Sequence, residues 1–438
     1  MTVRELTLRA LCEYEASGKY VNLSLSSHTA DKLTREERGF LTALLYTSVE
    51  RKITYDYYVS AISERSLDKI DPTTLNILRM GLCQIVDMDT IPDHAAVNMT
   101  VELARNKGER AFVNGVLRQA VRLKGEGALP LPKRDKNLAR YLSVAYSYPL
   151  WLTKHFLSLL GEGECEELLR YYNTVRYTDL TVNLAKTTRE EYAETLSRSG
   201  YSPIPSPNCS FSLRLEGSHN PMRLPGFDEG LFFVQDAASA ISAQALGTQR
   251  GERVIDVCAC PGGKSFAAAM LAGEEGSVLS LDIHSSKLSL ICDGAQRLGL
   301  ANVKVGQNDA TQPIEELVGS FDKVICDVPC SGLGVLAKKP DIRYKDNQSL
   351  QELPEIQKNI LTASSRYVKD GGVILYSTCT LNPHENEEVV HAFLEKNDGL
   401  SLVDFTVGDL CSEGGMLTLL PHRTLTDGFF IAKIKKEK

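Results

Sequence analysis

At 438 residues the chain is too long for one ordinary domain, and its 43% hydrophobic and 24% charged residues allow two or three domains to bury a core each. No run approaches the roughly twenty apolar residues of a spanning helix, and the first ten residues carry Arg4, Glu5 and Arg9 where a secretory leader would be apolar. Eleven scattered cysteines, an odd number, exclude a secreted disulfide scaffold, so reduced thiols, a cytoplasmic location and no membrane are expected.

Residues 1 to about 130 are expected to be all helix. Apolar residues recur at three- and four-residue spacing through Val3, Leu6, Leu8 and Leu11, and again through Phe40, Leu41, Leu44 and Leu45. Asp71-Pro72 predicts an N-cap and a helix through Ile85. Ile91-Pro92-Asp93 starts another over 95–105, and a last one covers 112–123. The formal charge of −7 argues mildly against a nucleic-acid partner. Against that stand ten basic residues: Arg105, Lys107, Arg110, Arg118, Arg122, Lys124, Lys133, Arg134, Lys136 and Arg140, opposed only by Glu109, Glu126 and Asp135. They form either a phosphate-binding stripe or a solvated helix face.

Residues 128–136, with two prolines, predict a linker. A small α+β part is expected over 137–235, with helices at 150–160, 164–173 and 189–199 and a strand at 180–184. From residue 236 to 438 strands and helices alternate. Strands are expected at 254–258, 278–281, 303–305, 324–326 and 373–376, with helices at 265–271, 285–298 and 349–368 between them. That alternation implies a mainly parallel α/β sheet covered on both faces.

Ligands of such a sheet bind beyond the carboxyl ends of its strands. The first strand enters Cys258-Ala259-Cys260-Pro261-Gly262-Gly263-Lys264, where paired glycines let a ligand approach the backbone. The second ends at Asp282, twenty residues beyond Gly262 and placed to accept from ribose hydroxyls. Asp309 follows the third. No G-x-G-x-x-G is present at the turn, so a nucleoside cofactor without phosphates, such as S-adenosylmethionine, fits better than a dinucleotide. A tight turn with two helix-capping aspartates would look similar. The fourth strand ends in Asp327-Val328-Pro329-Cys330-Ser331 and the fifth in Ser377-Thr378-Cys379-Thr380. Zinc is disfavoured, because Cys258/Cys260 and Cys326/Cys330 lack C-x-x-C spacing and no His lies nearby in sequence.

The segments Cys258–Lys264, Asp327–Ser331 and Ser377–Thr380 resemble the hallmark motifs of the Nol/Nop/Sun family of RNA cytosine-5 methyltransferases. Pro92–Asn98 and Phe112–Arg118 are similar to the NusB-like domain of the branch that acts on small-subunit ribosomal RNA, and Tyr148–Trp151 and Val234–Asp236 to its middle region. The resemblance spans nearly the whole chain. It implies a Rossmann-like S-adenosylmethionine-dependent methyltransferase domain (236–438), preceded by an all-α NusB-like domain (1–130) and a small α+β RNA-binding domain (137–235).

By the same resemblance Cys379 is the thiol that adds to cytosine carbon 6, Asp327 contacts the base near ring nitrogen 3, and Cys330 serves release of the product. The glycine turn, Asp282, Asp309 and Asp327 would hold S-adenosylmethionine, and 16S rRNA would be the substrate of a monomer without metal. Lys264 could lower a thiol pKa. Two residues depart from the family pattern, Cys260 in place of alanine and Thr380 in place of serine. The alternatives are a tRNA target, DNA-type chemistry with Cys330 as nucleophile, and a non-catalytic RNA-binding factor.

Overall fold

A computed structural model describes residues 1–17, 33–174, 177–345 and 351–437. They form two compact units, Met1–Asn173 with Lys339–Lys345, and Thr174–Lys338 with Asp346–Lys438.

The first unit is helical among its described residues. Its axis is the helix Pro72–Val86, buried at every position from Thr74 to Ile85. Asp71 caps it as the Asp-Pro pair predicts, its carboxylate accepting from the Thr73 and Thr74 N–H groups. Helices Val3–Ser17, Arg35–Glu50, Lys52–Ser63, Asp93–Val101 and Lys107–Gly125 pack around it. The last crosses so closely at Gly81 that a Cβ there would lie 2.6 Å from Leu117 Cδ1. The helix expected over 95–105 stops at Val101. Asn106 then caps a new helix, accepting from the Glu109 N–H at 3.0 Å, which therefore begins at Lys107 and not at 112.

Helices Leu150–Leu160 and Glu162–Tyr172, expected at the head of the α+β part, lie in this first unit, together with a helix Leu138–Tyr146 that the sequence reading did not include. Buried polar contacts bind them there. Thr54 Oγ1 donates to the Val144 carbonyl at 2.6 Å, and the Ile53 N–H to Ser147 Oγ at 3.1 Å. The strap Lys339–Lys345 joins the same unit through Arg343, which is fully buried. Its guanidinium donates to the carbonyls of Glu50 and Ser147, both at 3.2 Å, and lies 4.1 Å from the Tyr148 ring centroid.

The second unit holds two main sheets. Strands β1 (Tyr177–Val182), β2 (Ile204–Pro205), β3 (Ser212–Glu216) and β4 (Phe232–Val234) form an antiparallel sheet in the order β2-β3-β1-β4. The larger sheet contains β5 (Arg253–Asp256), β6 (Ser277–Asp282), β7 (Val303–Gln307), β8 (Phe321–Asp327) and β9 (Val368–Thr378), all parallel, as the alternating pattern predicts. Three C-terminal strands extend it antiparallel: β10 (Leu400–Leu402), β13 (Met416–Leu419) and β14 (Phe429–Lys436). A separate ribbon pairs β11 (Thr406–Val407) with β12 (Leu410–Cys411). Helices Gly263–Ala272, Leu288–Leu298 and Leu353–Ser365 answer to the expected ones. The first two residues of the helix expected from 349 lie outside the described residues.

The path of the larger sheet is β10-β14-β9-β8-β5-β6-β7. From β5 the chain runs outward through β6 and β7, then returns to the other side of β5 to build β8 and β9. The crevice at the carboxyl ends of β5 and β8 is therefore the topological switch point, where such sheets bind their ligands. Lys338 fastens the small sheet to the large one. Its ammonium lies 3.2 Å from Asp179 on β1 and 3.2 Å from Asp427 beside β14, and also pairs with Asp236.

Arg343→Ala should leave two backbone carbonyls of the first unit without their donor and open a void beside Tyr148. The expected loss is about 3 kcal/mol of that unit's stability. Hydrogen exchange on helices Lys52–Ser63 and Leu138–Tyr146 reads it, and unchanged protection would count against a structural role for the strap.

Candidate active site

The turn after β5 carries Cys258, Ala259, Cys260, Pro261, Gly262 and Gly263 into the helix headed by Lys264. Gly262 has φ +114°, a conformation that L side chains rarely adopt, and a Cβ there would stand 2.5 Å from Cζ of Phe266. A Cβ on Gly263 would lie 3.2 Å from Gln235 Nε2. Packing against the helix's own Phe266 and against Gln235 thus already accounts for both glycines. Asp282, at the end of β6 and buried, accepts from the Cys260 N–H at 3.2 Å and the His284 N–H at 2.9 Å. Each oxygen keeps a lone pair for a further donor. Asp309 is exposed and accepts from the N–H and hydroxyl of Thr311, at 3.0 and 2.8 Å, which caps its own turn.

Lys264 is buried. Its ammonium donates to Asp327 Oδ2 at 2.7 Å and Ser239 Oγ at 2.9 Å and lies 4.8 Å from the Phe429 ring centroid. The expectation that it lowers a thiol pKa finds a different partner, because the ammonium is spent on Asp327. The second Asp327 oxygen accepts from Ser377 Oγ at 2.7 Å.

The register of β8 on β9 pairs Asp327 with Ser377. The chains leaving these two strands then bring Cys330 Sγ to 3.1 Å from Cys379 Sγ, as two free thiols in contact and not as a disulfide, whose sulfurs would lie at about 2.05 Å. Further bonds hold the two turns together. Ser331 Oγ and Thr380 Oγ1 are 2.7 Å apart, and the Gly334 N–H donates to the Cys379 carbonyl at 2.9 Å. Gly334 must be glycine here, because a Cβ would fall 1.9 Å from the Gly428 carbonyl oxygen. The hydrogen bond shared with Cys379 and the burial of the site push the Cys330 thiol well above the usual range. Burial raises Cys258 as well and lifts Cys260 to about 11.

Residues 243–435 match the family model described as 16S rRNA methyltransferase RsmB/F, residues 1–122 the NusB family, and residues 148–221 the RsmF/B-like ferredoxin-like domain. The chain is 35% identical to the "Probable ribosomal RNA small subunit methyltransferase B" of Synechocystis sp. over 100% of both proteins. To the protein of the same name from Bacillus subtilis it is also 35% identical, over 100% of this chain and 99% of that one. The chain belongs to the ribosomal RNA small subunit methyltransferase B family. The solved structure of PH0851 matches 99% of the chain and 98% of its own length, with a TM-score of 0.78 at 26% identity.

One residue at the head of this glycine-turn segment carries no role in the sequence reading. Asp256, the last residue of β5, is fully buried. Its Oδ2 accepts from Ser265 Oγ at 2.7 Å, while its Oδ1 is buried without a partner among the described residues. Burial, with Asp327 adding to it, lifts its pKa to about 7. The only sequence signal is an acidic residue ending an apolar strand, which a helix-capping aspartate also gives.

A carboxyl that keeps its proton to about pH 7 when folded, and to about pH 4 when unfolded, favours folding fully below pH 4. That contribution is lost as pH rises from 4 to 7. Asp256→Asn does not ionise, so its stability relative to the parent should improve by about 1.4 kcal/mol per pH unit across that window and level off above it. Urea midpoints at pH 5 and pH 8 test this, and a mutational difference that is the same at both pH values would remove Asp256 from the titration.

Proposed function

We propose that this protein transfers a methyl group from S-adenosylmethionine to carbon 5 of a cytosine in 16S rRNA, through a covalent bond between the base and Cys379. The observation that carries the reading is the pair of thiols at 3.1 Å beyond the carboxyl ends of β8 and β9, beside the Asp327–Lys264 pair. Membership of a ribosomal RNA methyltransferase family supports the substrate.

The donor set at the turn suits a nucleoside. Asp282 retains acceptor capacity for ribose hydroxyls, and backbone groups of Cys258 to Gly263 surround the switch point. Asp309 and Asp327 complete the set. S-adenosylmethionine bound there supplies an electrophilic methyl group. Carbon 5 of cytosine is too weak a nucleophile to take it unaided. Addition of the Cys379 thiolate to carbon 6 makes carbon 5 enamine-like, while ring nitrogen 3 takes up a proton held by the Asp327–Lys264 pair. After methyl transfer the proton on carbon 5 passes to water, the electron pair it leaves re-forms the ring double bond and expels the Cys379 thiolate from carbon 6, and ring nitrogen 3 returns its proton to the Asp327–Lys264 pair. Cys330, touching Cys379, serves that release.

The base must leave its stack to reach two strand-end thiols, so an exposed or looped cytosine is favoured. The first unit and the small sheet would hold the surrounding RNA. Of the ten basic residues from Arg105 to Arg140, Arg105, Arg122, Lys124 and Arg134 stand in ion pairs. Lys107, Arg118, Lys133, Lys136 and Arg140 are exposed and available to phosphates.

Asp282→Ala should weaken S-adenosylmethionine binding by roughly 1.5–3 kcal/mol, the range for a hydrogen bond to a charged group. Calorimetry giving an unchanged Kd would remove Asp282 from the ribose.

The two cysteine variants should separate on a denaturing gel. Cys379→Ala is expected to lose both methylation and any covalent RNA complex. Cys330→Ala is expected to methylate and then stall with RNA attached to Cys379, giving a slow-migrating band that vanishes in the double variant. A band in Cys379→Ala alone would assign attack to Cys330 and favour the DNA-type mechanism.

A further inference from the structure

Glu385 lies outside every motif noted in the sequence, on the turn Pro383–Glu385 that leads into the helix Glu387–Leu394. It is fully buried. Its Oε2 accepts from the Ser331 N–H at 2.8 Å and from Gln357 Nε2 at 3.0 Å, and its Oε1 accepts from Asn382 Nδ2 at 3.0 Å. Gln357 Nε2 also donates to the Pro329 carbonyl at 3.0 Å. Glu385 and Gln357 therefore grip the backbone on both sides of Cys330. The link to the other cysteine runs through Asn382, whose N–H donates to Thr380 Oγ1 at 3.3 Å. One carboxylate thus joins both cysteine turns.

Its three partners are all neutral N–H groups. A buried carboxylate without a cation is costly, but an amide in its place would turn an NH2 toward the Asn382 Nδ2 donor, so the clasp needs an acceptor with two oxygens. The clasp thereby brings a negative charge to the Cys330 turn. The carboxylate sits directly on the residue after Cys330, whereas it reaches the Cys379 turn only through Asn382. Negative charge so placed disfavours a thiolate on Cys330.

We propose that Glu385 is a positioning residue that decides which of the two touching thiols attacks, by clamping the Cys330 turn against the Cys379 turn and biasing the proton shared by the sulfurs onto Cys330. The inference rests on the reading above, in which Cys379 is the nucleophile. The titratable groups around the two sulfurs are Glu385, the Asp327–Lys264 pair and Tyr376 on β9, whose hydroxyl donates to the Glu385 carbonyl at 2.6 Å. The bond to Cys379 and burial do most to raise the Cys330 thiol, and negative charge on Glu385 acts in the same direction.

Two measurements test the proposal. In the unsubstituted full-length protein, pH-dependent alkylation by iodoacetamide, followed peptide by peptide, should show Cys379 reacting with a lower midpoint than Cys330. The reverse order overturns the proposal without any variant having to fold. In Glu385→Gln the Cys330 midpoint should fall by at least one pH unit. With a 5-fluorocytosine rRNA fragment as trap, some of the adduct should move from Cys379 to Cys330, and kcat should drop at least tenfold with the KM for RNA little changed. An unaltered midpoint and an adduct still confined to Cys379 would reduce Glu385 to a structural clasp. An adduct on Cys330 already in the unsubstituted protein would instead overturn the assignment of Cys379, a distinguishable result.

Discussion

The parallel pairing of β8 with β9 places Asp327 opposite Ser377, and most of the site's geometry follows from that register. Cys330 comes three residues after Asp327 and Cys379 two after Ser377, so the turns that leave the two strands must meet. A slip of one residue would turn alternate side chains to the other face of the sheet. Ser377 could then no longer donate to Asp327, and the two sulfurs would separate. The strands are held by apolar residues buried on both faces, among them Val324, Ile325 and Cys326 on β8 and Ile374, Leu375 and Tyr376 on β9. The hydrophobic sheet thus supplies the precision that the chemistry needs.

Around that core the molecule buries more charge than stability requires. Lys264 neutralises Asp327 at the site, and Lys338 faces three carboxylates where the small sheet meets the large one. Burial by itself would raise Asp236, but the Lys338 ammonium overrides it and holds that carboxyl at about 2. Asp427, buried and next to the ionised Asp236, is pushed well above its ordinary value. Both shifts arise from three carboxylates crowding one ammonium. Lys338 ends the stretch that begins at Cys330, and Gly428, one residue beyond Asp427, donates to the Gly334 carbonyl at 2.8 Å. The same ion cluster that joins the sheets consequently bears on the loop that carries the second thiol.

Much of this could be read from the chain alone, because it depends on local pattern. Alternating strands and helices identified the parallel sheet, and Asp71-Pro72 marked a helix start to the residue. The residues that close strands, Asp282, Asp327, Cys330 and Cys379, stood out because ligand-binding positions of such a sheet lie at its strand ends. Less was legible after β9. β14 follows the turn signal Asp427-Gly428, but its start, Phe429 to Ala432, is an unbroken apolar run without the alternation that would separate a strand from a buried helix. The helices at 138–172 also went unassigned to the helical unit, since the bonds of Thr54 and Ile53 that bind them there span 90 residues or more.

What the sequence determined by itself was the set of reactive groups and the fold class that brings strand ends to one edge. Tertiary structure decided how those groups are paired. Lys264 looked from its motif like a neighbour of the thiols, but folding commits its charge to Asp327 and Ser239. Glu385 is 54 residues from Ser331, and no local pattern distinguishes it from the half-buried Glu387 and exposed Glu388 that follow it. Asp256 gained its raised pKa from burial among neighbours supplied by other strands. In each case the reason is the same. Periodicity and turn chemistry are properties of a few consecutive residues, whereas the partner of a buried charge is chosen by packing between segments far apart in the chain.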